Sequence, residues 1–199
     1  MLTLLALVFL AQPPPFDSTV PWEAVSEEDG LRLERRPVAS SASYEYRITA
    51  RTTVSVDRLC DAVFEWGTRG TDVPGLKARK EVSAAVDERV VYDQFDAPVV
   101  SNRDYAMTVK RTRGADGSCR IRYWASNDKA PKKLDGWVRL EKLYGSWTLT
   151  PREGQTELVY TQFSDPGGSL PVVLTHGTQR DRALQSVRLA IEKGKAGGK

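Results

Sequence analysis

Residues 165–191 read DPGGSLPVVLTHGTQRDRALQSVRLAI, and the fold turns on this stretch. Asp165-Pro166-Gly167-Gly168 stops whatever precedes it, because proline and paired glycines break regular structure. Ser169 can cap a helix that starts there, with Pro171 in the first turn, where a missing N–H costs nothing. Val173, Gly177, Arg180, Leu184, Val187 and Ile191 then share one face at helical spacing, apolar except for Arg180. The expectation is a long C-terminal helix with that face turned inward.

Upstream the signals are mostly those of strands. From Leu31 they accumulate, and Tyr44 to Ala50 alternates before running into Thr52, Thr53 and Val54, all good strand formers. Val56, Leu59, Cys60, Val63 and Phe64 recur at three and four, which predicts a helix beginning at Ser55-Val56-Asp57. Asp72-Val73-Pro74-Gly75 breaks the chain. Short strand candidates follow over 78–86, 89–95, 103–111, 119–126, 136–143, 145–150 and 156–163, with turns such as Gly114-Ala115-Asp116-Gly117 between them. The order is two strands, a helix, about seven strands and a long helix. Strands joined by hairpin-length turns make one curved antiparallel sheet, and the last helix is the element to lie across its concave side. This is an α+β architecture, and a sheet wrapped around a helix tends to leave an internal apolar cavity.

Composition narrows the function. The 199 residues are 40% hydrophobic and 28% charged, values of a globular domain with its own core. Lys plus Arg is 29 against 26 Asp plus Glu, a net charge of +3 that argues against a nucleic-acid partner. One histidine, His176, and two cysteines, Cys60 and Cys119, exclude the usual four-ligand zinc site. No cofactor is implied. Catalysis through His176 lacks an evident nucleophile or orienting group beside it. The cysteines read as two buried thiols, with a disulfide as the alternative in an oxidising compartment.

Leu2 to Ala11 is an apolar run of ten residues ending at Gln12 and Pro13-Pro14-Pro15. It is too short to span a bilayer and has the length of a signal-peptide core. The division is therefore a signal peptide over 1–12, a Pro-rich linker over 13–21, a domain over 22–192 and a flexible basic tail over 193–199. A periplasmic or secreted protein is expected. The alternative is a cytoplasmic one whose apolar arm packs on the domain.

Four segments carry a resemblance. Val99-Val100-Ser101-Asn102-Arg103-Asp104-Tyr105 resembles the "snRDy" segment of StAR-related lipid transfer (START) domains. Gly136-Trp137-Val138-Arg139 and Gly145-Ser146-Trp147-Thr148-Leu149-Thr150-Pro151 resemble that family's "GxxR…GxWxLxP" pair. Asp165 to Pro171 is similar to its "DPGGxxP" entry to the last helix, and Val91-Tyr92 with Pro98 is similar to its "vvY…P" strand. The resemblance spans about residues 22–190 and implies a helix-grip fold. It further implies non-catalytic binding, or transfer between membranes, of a lipid or other apolar small molecule. Transient membrane contact and a monomer are expected with it. The alternative is a helix-grip enzyme of cyclase or hydrolase type acting on an apolar substrate.

Period two then assigns cavity residues. With Tyr105 inward, Met107 and Val109 follow it, and the same parity on the preceding strand turns Val90 and Tyr92 inward. Ile121 and Tyr123 face the cavity opposite solvent-facing Arg120 and Arg122. Trp147 and Leu149 do likewise. Val173, Gly177 and Leu184 line it from the helix. In cholesterol-binding relatives the resemblance places an arginine and an acid at what look like the Val109 and Val90 positions, and both are apolar here. Tyr92, Tyr105, Tyr123 and Trp147 either fill space or cage a quaternary ammonium. Arg103 and Asp104 are adjacent, so they point to opposite faces. A structural role is favoured for Arg103, since an unpaired buried arginine is costly, and contact with a lipid headgroup phosphate is its functional alternative. The glycines after Asp165 suggest a hinge on which the last helix gates the cavity.

Overall fold

The computed structural model describes residues 16, 18–39, 41–73, 75–96, 101–167 and 173–197, with the side chains of 173–176 outside the description. Ten strands form one sheet. Three precede the first helix: β1 (Glu23–Glu28), β2 (Leu31–Pro37) and β3 (Tyr44–Thr52). Helix α1 (Val56–Arg69) follows. Seven more strands come next: β4 (Leu76–Ala84), β5 (Glu88–Phe95), β6 (Arg103–Arg113), β7 (Cys119–Ala125), β8 (Val138–Arg139), β9 (Leu143–Arg152) and β10 (Gln155–Ser164). Helix α2 (Val173–Ala196) closes the chain, running past the expected end of the domain at 192. The sheet order is β1-β2-β3-β10-β9-β7-β6-β5-β4, antiparallel throughout, with short β8 added parallel to the start of β6. The expected α+β helix-grip fold is what forms.

The turns explain much of the register. Asp29-Gly30 and Glu153-Gly154 both have positive φ at both residues, the backbone of a two-residue hairpin that suits the twist of the flanking strands. Strand β1 is an addition to the expected elements. Its sequence, EAVSEE, has too little apolar alternation to signal a strand, and it is held by pairing with β2.

Helix α1 buries the face its spacing predicted: Val56, Leu59, Cys60, Val63 and Phe64. Helix α2 does not. Its buried positions are Gln179, Ala183, Val187, Ala190 and Gly194. Leu184 and Ile191 flank that stripe as partly buried contacts, Arg180 is exposed, and Gly177 is exposed with open space where a side chain would be. The expectation that Gly177 lies inward is therefore corrected. Small residues let α2 approach closely: a Cβ on Gly194 would come within 2.9 Å of Val54 Cγ1 and 3.1 Å of Leu59 Cδ1. The Val173 and His176 side chains lie outside the described residues.

Cys60 on α1 and Cys119 at the start of β7 form a disulfide, which replaces the expected pair of free thiols. It ties α1 to the concave face of the sheet. On the opposite, convex face, Phe16 packs edge-on against Trp124 and Tyr144, with the Arg122 guanidinium 4.9 Å from its ring centre. Trp22 lies against Arg36 and Arg47, and Arg36 donates to the Ser18 carbonyl and to buried Glu45. The chain from Phe16 to Trp22 thus crosses from β7 and β9 to β2 and β3. The apolar run over 2–11 lies outside the described residues.

Candidate functional site

Register decides which side chains share a face, because directly opposed residues in an antiparallel pair point the same way. Tyr105 is opposite Asp93, Met107 opposite Val91, and Val109 opposite both Arg89 and Tyr123. Ile121 faces Trp147, Cys119 faces Leu149, and Trp147 and Leu149 face Tyr160 and Leu158. Tyr105, Met107, Val109, Ile121, Tyr123, Trp147 and Leu149 therefore line one face, as expected, and Cys119 identifies it as the face covered by α1.

Val90 and Tyr92 do not belong to it. They oppose Thr108 and Ala106, which puts them on the convex side and corrects their assignment as cavity residues. Their strand contributes Arg89, Val91, Asp93 and Phe95 to the concave side instead. Tyr92 has a different task. Its hydroxyl donates to Asp104 Oδ2 at 2.7 Å, and Arg139 donates to both Asp104 oxygens at 3.0 and 2.7 Å. Burial pushes the Asp104 carboxyl up, but the bonds from Arg139 and Tyr92 outweigh it and hold the acid below its ordinary range. This triad joins β5, β6 and β8, so the "RD" aspartate and the "GxxR" arginine serve one structural clamp.

The concave face has two ends. Under α1 it is dry: Ile48, Leu59, Leu149 and Leu158 are completely buried. Towards the first turns of α2 the side chains become aromatic, hydroxylated and less completely enclosed. Tyr44, Phe95, Tyr123, Leu143 and Leu184 are half-buried there. Trp147 stacks on Tyr160 with ring centres 4.0 Å apart, and Phe95 stacks on Tyr105 at 5.6 Å. A chain of hydroxyls runs across this region. Tyr123 and Tyr160 are 3.1 Å apart, and Tyr160 donates to Gln162 Oε1 at 2.7 Å. Burial pushes the Tyr105 and Tyr123 phenols well up and Tyr160 up to about 12, so all three are neutral donors at ordinary pH.

Two polar elements reinforce this half. Asp93 and Arg79 form a forked ion pair at 2.6 and 2.7 Å, and Arg79 also donates to the Trp66 and Gly70 carbonyls at the end of α1. Gln179 on α2 donates to the Ser164 carbonyl at 2.8 Å, which pins the helix to the end of β10, and its own buried Oε1 has no partner among the described residues. Sequence reading missed Phe95, Asp93, Tyr46, Tyr160 and Gln179. An aspartate inside the apolar run VVYDQF was the available signal for Asp93. Alternation from Leu158 was the signal for Tyr160.

Gly145 shows why the "GxWxLxP" motif carries a glycine. It opposes Tyr123, whose ring lies over it, and a Cβ there would strike the Tyr123 hydroxyl end and the Thr161 carbonyl oxygen.

Among the described residues no group of three or more His, Cys, Asp or Glu could hold a metal ion, and no helix is long and apolar enough to cross a membrane. A surface groove of about 520 Å³ lies between α1 and the end of α2, away from the concave face. Arg58, Arg69 and Lys193 there balance Asp61, Glu65 and Asp72.

No family model matches the chain. It is 28% identical over 180 residues to an uncharacterized protein of Pseudomonas aeruginosa, covering 86% of this chain and 87% of that one. In structure it is similar to a STAR-related lipid transfer protein fragment from Xanthomonas axonopodis, with a TM-score of 0.76 and 24% identity over 87% of this chain and 98% of the fragment. Human StAR-related lipid transfer protein 5 matches with a TM-score of 0.71 and 19% identity, over 89% of each chain. The chain carries the START-like helix-grip fold.

Proposed function

We propose that the protein binds one lipid or other apolar small molecule in the aromatic half of its grip, without catalysing its conversion. The observation that carries this reading is the graded concave face. One end is packed dry by α1. The other presents buried Tyr105, Trp147 and Tyr160 with half-buried Phe95 and Tyr123 beside them. Apolar area of that kind holds a ligand at roughly 25 cal/mol per Å² removed from water. Neutral tyrosine hydroxyls orient a polar end without demanding a charge. The names of the structural neighbours, lipid transfer proteins, agree with this ligand class.

The Cys60–Cys119 disulfide and the apolar run over 2–11 support an exported protein, periplasmic or secreted. Entry would proceed by movement of α2 about the glycines after Asp165. Among the described residues, Gln179 holds the first half of α2 to the end of β10, whereas Gly194 in its second half lies against Val54 and against Leu59 of α1.

The test is native purification, organic-solvent extraction and mass spectrometry of the extract. One stoichiometric lipid species is expected. An empty extract, repeated after incubation with total membrane lipid, would overturn the reading. Transfer is tested separately between donor and acceptor vesicles. Gating is tested by hydrogen exchange, and amides 177–185 protected as strongly as the core strands with and without lipid would refute it.

A further inference from the structure

A buried donor or acceptor that the protein leaves unpaired costs free energy, so it points to what a ligand would supply. In the aromatic half most polar groups are already paired. The Tyr160 hydroxyl donates to Gln162 Oε1 at 2.7 Å, so in the 3.1 Å contact between Tyr160 and Tyr123 the hydrogen comes from Tyr123. Asp93 is held at both oxygens by Arg79. Two side-chain amides are only half used.

Gln179 of α2 is one of them. It is 9% exposed, and its Nε2 donates to the Ser164 carbonyl at 2.8 Å, with the Ser164 hydroxyl 3.4 Å away. A carbonyl only accepts, so the amide nitrogen must face Ser164 and the oxygen must face elsewhere. That Oε1 is buried and has no partner among the described residues. Gln162 is the other. Its Oε1 is taken by Tyr160, and its Nε2 hydrogens have no acceptor among the described residues.

Strand alternation puts both amides on one side. Tyr160, Gln162 and Ser164 are alternate residues of β10 and share the concave face, with Gln162 about 7 Å along the strand from Ser164. Helix α2 meets this row in reverse order. Gln179 bonds to Ser164, and Ser186, about two turns further along the same side of the helix, is within hydrogen-bonding reach of the Tyr160 phenol. Gln162 therefore lies on the strand between the two points that α2 touches, beside the Trp147–Tyr160 ring stack.

We propose that Gln179 and Gln162 read the head of the bound molecule, and that this head is uncharged and carries both a donor and an acceptor, as an alcohol or an amide does. Its O–H or N–H donates to Gln179 Oε1, its oxygen accepts from Gln162 Nε2, and its apolar body lies on the aromatic surface. The inference rests on the lipid-binding reading and names the chemistry of the ligand's head. A carboxylate or phosphodiester has acceptors only and would set a negative charge against the Gln179 oxygen. An ether or ester lacks the donor, and a quaternary ammonium has neither group. With α2 seated on β10 the Gln179 oxygen is sealed, so the head meets it as the helix closes, and pairing that acceptor favours the closed, loaded grip.

The probes are pyrenedodecanol, its methyl ether and pyrenedodecanoic acid, titrated into the full-length protein and followed by pyrene fluorescence. Wild type is expected to bind the alcohol about ten-fold tighter than the ether, which leaves the acceptor unpaired, and tighter than the acid by about as much. Gln179→Met keeps the side chain's length and removes the amide, so the preference for alcohol over ether should fall to within about two-fold. Gln162→Met, at a half-buried position, should weaken alcohol and ether together by about three-fold, because both carry the oxygen that it bonds. A merely structural role for Gln179 would weaken both probes alike and leave their ratio unchanged. Equal affinity for alcohol and ether in wild type, a ratio unchanged in Gln179→Met, or tighter binding of the acid would overturn the proposal and leave the lipid-binding reading standing. Failure to bind any of the three would overturn both.

Discussion

Breaking the Cys60–Cys119 bond is the most quantitative perturbation the fold offers. The two cysteines are 59 residues apart in sequence, so the bond closes a loop that contains α1 and strands β4 to β6. Closing a loop of about 60 residues removes unfolded-state entropy worth about 4 kcal/mol at 25 °C. Both sulfurs are buried between α1 and the sheet, so reduction leaves the native packing nearly intact, and the effect acts through the unfolded chain. For a domain of this size that loss lowers the Tm by on the order of 10 °C. The assay is urea unfolding followed by tryptophan fluorescence, with and without a phosphine reductant, and with the Cys60→Ala/Cys119→Ala double variant as a control. The reduced protein should lose about 3–5 kcal/mol and show a steeper urea dependence, because its unfolded state expands. A loss under about 1 kcal/mol would refute the cross-link as a stabilising element. So would alkylation of both thiols in the native, unreduced protein, which would return the pair to free cysteines.

Gly145→Ala should cost about 1–3 kcal/mol by driving the Tyr123 ring off the strand and pressing on the Thr161 carbonyl oxygen, and a Tyr123→Ala background should relieve only the first part of that cost; strictly additive losses in denaturant titrations would contradict the Tyr123 contact. Trp22→Ala should destabilise by about 2 kcal/mol, because it removes the ring that covers Arg36, Arg47 and the buried Arg36–Glu45 pair; a change within about 0.5 kcal/mol would mean that the segment only rests on the sheet. Tyr105, Tyr123 and Tyr160 bind their protons more tightly folded than unfolded, so their contribution is fully present below about pH 10 and is lost as pH rises towards 12, the Tyr160 value. Phenolate absorbance should show a group of tyrosines that ionise only with unfolding, and reversible titration of all seven near pH 10 would disprove their burial. Glu34 and Glu65 are held below the ordinary range, first by hydrogen bonds from Arg47 and Arg89 respectively, so the stability they supply is present above the ordinary glutamate value of 4.5 and falls as pH drops below it; urea midpoints unchanged between pH 6 and 3 would contradict that.

Most of the architecture was legible because it is written in period and punctuation. The α1 face was readable since its markers are large and apolar and its polar residues lie opposite. The strands after α1 were readable from the turns between them, and Tyr105, Met107, Ile121, Tyr123, Trp147 and Leu149 followed by parity once one strand was oriented. Two failures share a physical cause. Val90, Val91 and Tyr92 are all buried, so the run has no polar face to mark its orientation. Its parity relative to β6 depends on the connection over 96–102, whose geometry leaves no trace in the pattern. The α2 face was misplaced by reading bulk as burial. Helix α2 packs closely through Ala183, Ala190 and Gly194, and larger Leu184 and Ile191 are pushed to its flanks. Arg180, the polar exception on the expected face, was the visible sign of the error.

The correction at β5 changes the chemistry of the candidate site as well as its geometry. With Val90 and Tyr92 facing inward, the cavity would be apolar along β5 and would suit a neutral ligand. With Val91, Asp93 and Phe95 inward, the same strand brings an acid that is already neutralised by Arg79 and an aromatic ring set against Arg103. The adjacent pair Arg103-Asp104 then divides its labour by strand alternation alone. Asp104, on the convex side, is consumed by the clamp with Tyr92 and Arg139. Arg103, on the concave side, donates to the Ser101 carbonyl and has no carboxylate partner among the described residues. A motif that reads as one ion-pairing unit in the sequence therefore separates in the sheet, with its aspartate on the convex face and its arginine on the concave face.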